Sequence, residues 1–153
     1  MRLLAKLFGA VIPLSIVFSV PVYARDWNAI QKSGTIKAAT EGAFAPFNYY
    51  EGTKLTGYEV DVAEALAKKL ELKLEWKAVP FDAQLAAVKQ DRFDFAIASH
   101  GYTKERAKAV DFASPHYCTG GQIAAPKDGS LTVASLKGKT IGVQLATSYY
   151  DAA

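Results

Sequence analysis

The most regular pattern in the chain lies between Glu59 and Leu70, where Val62, Ala63, Leu66, Ala67 and Leu70 recur at steps of three and four. That spacing predicts an amphipathic helix with one apolar face. The period then changes. Leu72, Leu74 and Trp76 alternate with charged residues, as in a strand with one buried face. Pro80 and Asp82 open a second helix, in which Phe81, Leu85 and Val88 share a side. Upstream, Trp27 to Lys32 reads as a short helix broken by Ser33-Gly34, and Thr35 to Ala39 as a short strand. Thr40 to Phe47 carries one Gly and one Pro and reads as a loop. Asn48 to Tyr50 and Lys54-Leu55, flanking Glu51-Gly52-Thr53, suggest a small hairpin. Downstream, Phe93 to Ala98 reads as an apolar strand with Asp94 near its start. Thr103 can cap a short helix carrying Arg106. Val110 to Phe112 and Thr140 to Val143 read as further strands, with Tyr117 to Ala125 as an extended crossing segment between them. Thr147 or Ser148 would cap a last helix.

Strand and helix alternate, which predicts an α/β fold with helices on both faces of the sheet. In such folds the binding loops leave the carboxyl ends of the strands. Thr40 to Phe47, Ala78 to Asp82 and Ser99 to Arg106 fall there, so the pattern converges on one site.

Composition changes this picture in three ways. Residues 1–24 read as an export signal: Arg2 and Lys6 precede an apolar run from Leu7 to Val20, and Val22-Tyr23-Ala24 ends it with a cleavage pattern. Pro13 and Ser15 interrupt the run, which is short for a membrane anchor. Cleavage after Ala24 removes two of the 18 basic residues and none of the 15 acidic ones, leaving a formal charge of about +1. Basic and acidic residues are interspersed, so no stripe for nucleic acid is expected. Cys118 is the single cysteine, which excludes an intramolecular disulfide and a multi-cysteine metal site. It is expected to be a buried thiol. His100 and His116 stand apart and imply no metal centre, and no cofactor is expected. Half of the residues are apolar or aromatic, enough to build a globular core.

Gly57-Tyr58-Glu59-Val60-Asp61-Val62-Ala63-Glu64-Ala65-Leu66-Ala67-Lys68-Lys69-Leu70 resembles the signature of family 3 extracellular solute-binding proteins, the amino-acid-binding components of ABC transporters. Thr103 to Tyr117, with Thr103, Glu105, Arg106, Val110-Asp111-Phe112 and Pro115, is similar to a second family run. Leu136 to Gln144 looks like the start of the family's second lobe. The resemblance implies a periplasmic-binding-protein-like lobe, a mixed sheet flanked by helices, over residues 25–126. It implies an incomplete second lobe over 127–153. It also implies a periplasmic protein that binds an amino acid or related polar solute, hands it to an inner-membrane ABC permease and catalyses nothing. Two alternatives stay open: a truncated fragment that does not function, and an enzyme like the cyclohexadienyl dehydratases built on this fold.

The same resemblance marks candidate site residues. Arg106 is the candidate for a ligand carboxylate, because its planar fork matches one with two parallel hydrogen bonds. Phe44 and Phe81 match positions where aromatics sandwich the ligand. Glu41 matches a carboxylate placed against the ligand's side chain. Ser99 and Gly101 match a loop that takes the ammonium and carboxylate. Gly101 replaces the usual hydroxyl residue and His100 an apolar one, with His100 expected to be structural. Thr147 and Ser148 match a helix start gripping the carboxylate from the opposite side.

Overall fold

The computed structural model describes residues 25–127 and 132–152. The expected signal segment, residues 1–24, and residues 128–131 lie outside the described residues. The first helix, α1 (Trp27–Ser33), begins where the Asp26 carboxylate accepts from the Ala29 N–H at 2.7 Å, and ends at Gly34 with φ 67°. The left-handed glycine is the break expected at Ser33-Gly34, and the side-chain cap at Asp26 is not among the expected signals.

Strand β1 (Thr35–Thr40) is the centre of a parallel sheet. On one side it pairs with β5 (Lys73–Ala78), Ile36 opposite Leu74 and Ala38 opposite Trp76. On the other it pairs with β6 (Phe95–Ala96), Ala38 opposite Phe95. Ala38 and Ala39 are consecutive, point to opposite faces and are both fully buried. The sheet is therefore covered on both faces. Ile30, Ile36, Ala67 and Leu72 form an apolar cluster, with Leu74 and Phe95 packed against it. Asp94 sets where β6 begins: its Oδ2 accepts from the Lys37 N–H at 2.7 Å and meets the Arg25 guanidinium at 3.2 Å.

Between β1 and α2 (Tyr58–Lys69) runs an antiparallel meander, β2 (Ala43–Phe44), β3 (Asn48–Glu51) and β4 (Lys54–Thr56). The expected hairpin is β3–β4. The expected loop from Thr40 to Phe47 contains β2, which exists because Phe44 and Ala43 find Asn48 and Tyr49 as ladder partners. Gly57 joins β4 to α2 with φ 120°, and an added Cβ there would drive into the Phe47 carbonyl. That close approach lets Tyr58 and Glu59 donate their N–H groups to Pro46 and Phe47.

The buried face of α2 keeps Ala63 and Ala67 of the expected stripe but is otherwise shifted. Glu59, Val60, Ala63 and Ala67 face inward, whereas Leu66 is 47% and Leu70 36% exposed. The helix packs on β3, β4 and β5 together, so its inner face is set by what lies beneath it rather than by the largest side chains. In α3 (Phe81–Lys89) Gln84 goes inside with Phe81 and Ala87, and Leu85 and Val88 are half-buried. Arg106 lies on a 3₁₀ turn, Arg106–Lys108, shorter than the helix expected. Thr103 still serves as its polar start, its Oγ1 accepting from the Arg106 N–H at 3.1 Å.

The strands expected at Val110 to Phe112 and Thr140 to Val143 do not form, and Tyr117 to Ala125 pairs with no strand. A strand exists only through its ladder, and no described segment pairs with these in one. The last helix is α4 (Ser148–Ala152), where Thr147 Oγ1 accepts from the Tyr150 N–H at 3.2 Å.

Candidate functional site

The loops after β1, β5 and β6 meet at one end of the parallel sheet and wall a cleft of about 560 Å³. Glu41 enters it directly after β1 and Phe44 from β2. Phe81 enters from the start of α3, and Ser99 and Gly101 from the loop after β6. Arg106 lines it from the 3₁₀ turn, Thr147 and Ser148 from the start of α4. All eight residues singled out in the sequence thus lie around the same space.

Their hydrogen bonds differ in what they leave for a ligand. Arg106 donates through Nη1 to the Gly101 carbonyl and through Nη2 to the Ala146 carbonyl, each at 2.7 Å. The fork is held open across the cleft, and its remaining N–H groups have no protein acceptor among the described residues. Phe44 is 42% exposed and stacks one face on Phe47, with ring centres 5.2 Å apart. Phe81 is 8% exposed, its ring stacked on His100 at 4.1 Å with the Arg106 guanidinium 5.8 Å from its centre. It therefore floors the cleft more than it offers a free face. Thr147 donates its hydroxyl to the Gln144 carbonyl at 2.8 Å and caps α4, so Ser148 is the hydroxyl less tied to the protein. Ser99 donates both its N–H (2.6 Å) and its hydroxyl (3.1 Å) to Glu59.

Glu59 is the organising group beneath the cleft, and the sequence showed it only as part of a signature. It is fully buried. Its Oε2 accepts from Asn48 Nδ2 at 2.6 Å, and its Oε1 accepts from Ser99 and from His116 Nε2 at 3.1 Å. Asn48, also fully buried, accepts from the Gly42 N–H at 2.8 Å. A buried carboxylate needs such donors to offset its desolvation. Here they tie β3, the Ser99 turn and the segment carrying His116 to the N-terminus of α2. Ser99 sits at φ 56°, a left-handed conformation that a serine adopts only when held there.

His100, expected to be structural, lines the cleft and is held by Phe81 and Gln84. Gln84 turns its Nε2 to the Val79 carbonyl at 3.2 Å, so its Oε1 faces His100 Nε2 at 3.2 Å and that nitrogen carries the proton. Burial, and secondarily the Arg106 charge, lower its pKa from 6.5 to about 4, so the ring stays neutral. Cys118 departs from expectation: its thiol is exposed and lines the cleft. It follows Tyr117, whose ring is occupied with Phe47 at 4.7 Å, leaving the next side chain on the open side. Gln144, which closes the third family-like run but is not among the expected site residues, donates to Glu41 at 2.6 Å. Among the described residues no group of His, Cys, Asp and Glu could hold a metal ion, and no helix is long and apolar enough to cross a membrane.

A covered parallel sheet whose strand-end loops wall a cleft of aromatic and polar side chains has the architecture of a lobe of the periplasmic solute-binding fold. Residues 36–142 match the model of the bacterial extracellular solute-binding proteins, family 3, and the chain belongs to that family. It is similar to the arginine-binding extracellular protein ArtP of Bacillus subtilis, 35% identical over 123 residues, covering 78% of this chain and 48% of the relative. It is similar also to the L-cystine-binding protein TcyJ of Escherichia coli, 36% identical over 128 residues, covering 81% and 48%. Among solved structures it resembles an ancestral cyclohexadienyl dehydratase with a TM-score of 0.58 and 32% identity, over 63% of this chain and 40% of the other. The chain spans about half the length of the curated relatives it matches.

Proposed function

We propose that this chain binds an amino acid or a closely related polar solute and passes it unchanged to an ABC permease in the inner membrane. On this reading the export signal is cleaved after Ala24 and the protein works in the periplasm. Residues 25–126 form the first lobe and 127–153 begin the second. The observation that carries it is Arg106: a guanidinium on the cleft wall, oriented by two backbone carbonyls, with further N–H groups left over. That arrangement suits a carboxylate, which takes two parallel charge-assisted bonds. Ser148 and the Gly101 backbone stand beside the same space. Relatives that bind arginine and cystine support the solute class.

The test is a thermal melt of the full chain with each L-amino acid in millimolar excess. Binding to the folded state stabilises it by about 2.7 kcal/mol at a hundredfold excess over Kd. A rise in Tm with one group of amino acids is expected; a Tm that no amino acid moves would overturn the reading. Incubation with prephenate or arogenate should yield no phenylpyruvate or phenylalanine. Release of either would favour the dehydratase that the structural resemblance also allows.

A further inference from the structure

A buried carboxylate reaches the cleft through a histidine. His116 lines the cleft with its side chain 31% exposed, and its Nε2 stands 3.1 Å from Oε1 of the fully buried Glu59. The Glu59 carboxylate also takes donors from Asn48 and Ser99 and only accepts, so the proton of this bond belongs to His116 Nε2. In the neutral ring that leaves a lone pair on the second nitrogen, Nδ1. Nδ1 has no protein donor among the described residues. The ring is also held in place. It stacks on Tyr58, centres 5.9 Å apart, and lies edge-on to Tyr117 at 5.0 Å, while the Tyr58 hydroxyl donates to the His116 carbonyl at 2.8 Å.

The turn after β6 sets His116 close to Arg106. Ser99 donates its hydroxyl to the same Glu59 oxygen at 3.1 Å, and the Gly101 carbonyl holds the Arg106 guanidinium at 2.7 Å. From Ser99 to Gly101 the backbone spans at most about 7 Å. An acceptor and a cationic donor tied to either end of so short a turn match an α-amino acid, whose ammonium and carboxylate share one carbon. We propose that His116 is a further binding residue, which accepts through Nδ1 from the solute's α-ammonium; this rests on the binding reading above. The carboxylate behind the ring fixes its orientation and polarises Nδ1 into a stronger acceptor, and the bond to an ammonium is charge-assisted.

The chain has two histidines, so ¹⁵N-histidine labelling of the full chain gives two sets of ring signals, which His116→Phe assigns. At pH 7.5 the His116 ring should show a protonated Nε2 and a bare Nδ1. The Nδ1 signal should move when the full chain is titrated with each of the twenty L-amino acids that raises its Tm. His116→Phe keeps a ring for Tyr58 and removes the acceptor. In calorimetric titration it should bind those amino acids about tenfold or more weakly. Its affinity for the matching des-amino carboxylic acids should stay within about twofold of the parent's. A histidine that only supports the fold would weaken both probes alike. An Nδ1 that carries the proton in the free protein, an Nδ1 unmoved by an amino acid that raises Tm, or equal losses for the two probes overturns the role of His116 while leaving amino-acid binding standing. If no amino acid raises the Tm, the binding reading and the His116 role fall together.

Discussion

Glu59→Gln is an informative perturbation, because the structure dictates which hydrogen bonds it breaks and how one of them can be mended. The Glu59 carboxylate is fully buried and accepts from Asn48 at 2.6 Å and from Ser99 N–H at 2.6 Å. Asn48 cannot adapt, since its Oδ1 already accepts from Gly42 at 2.8 Å and its Nδ2 must therefore face position 59. A glutamine amide turned one way sets two donors together at Asn48. Turned the other way it sets its NH₂ against the Ser99 N–H. Either choice leaves a buried donor unmatched and removes charge-assisted bonds, a loss of about 2–4 kcal/mol. The turn at Ser99 should loosen as well, because its left-handed backbone rests on that acceptor. Adding Asn48→Asp supplies what the amide lacks: the new carboxylate accepts from Gly42 and from the glutamine NH₂, while the glutamine oxygen keeps Ser99. Urea unfolding of the full chain, followed by far-UV circular dichroism, should show the double variant recovering about half of the lost stability or more. A double variant no more stable than Glu59→Gln alone, or a single variant within about 0.5 kcal/mol of the parent, would refute the role assigned to Glu59.

Three further outcomes are expected. Arg106→Ala should weaken amino-acid binding by about 2–5 kcal/mol, as loss of one partner of a buried charged pair does; unchanged affinity in a titration would show that the carboxylate binds elsewhere. His100 should make stability pH-dependent. Its folded pKa of about 4 lies below the unfolded 6.5, so the unfolded chain gains a proton that the folded ring refuses. The contribution is complete above pH 6.5 and about 3 kcal/mol of it is lost as pH falls to 4. The stability gap to His100→Phe should change by that amount between pH 7.5 and 4, and parallel urea curves for the two proteins would contradict it. Cys118, exposed on the cleft, should react readily with a soluble thiol reagent and several-fold more slowly with a saturating amino acid; a rate indifferent to ligand would place the solute away from it.

Much of the fold could be read from the chain because its signals are local. Gly34 marks the end of α1 through a cap that involves neighbours within one turn. Leu72, Leu74 and Trp76 announce β5 by alternation alone. The site was legible in outline for a related reason: an α/β sheet sends its strand-end loops to one edge, so Glu41, Ser99 and Arg106 meet there once the strands are recognised.

What stayed hidden depends on partners distant in sequence. The apolar stripe of α2 named Val62, Ala63, Leu66, Ala67 and Leu70; Ala63 and Ala67 are buried, but Leu66 and Leu70 are exposed while Glu59 and Val60 go inside, because the neighbouring strands choose the face. Thr140 to Val143 has the composition of a strand, but a strand also requires a ladder partner, and no described segment provides one. The acid of Glu59 looks like any helix-start carboxylate until Asn48, Ser99 and His116 are seen around it. Gln144 ended a family-like run, but nothing in the run placed it 2.6 Å from Glu41. Sequence alone determined the helices, the central strands and the residue types offered to the cleft, since these follow from spacing and caps within a few residues. Tertiary structure decided which faces are buried and which polar atoms remain for a ligand, since hydrogen bonds across 40 to 103 positions consume the others.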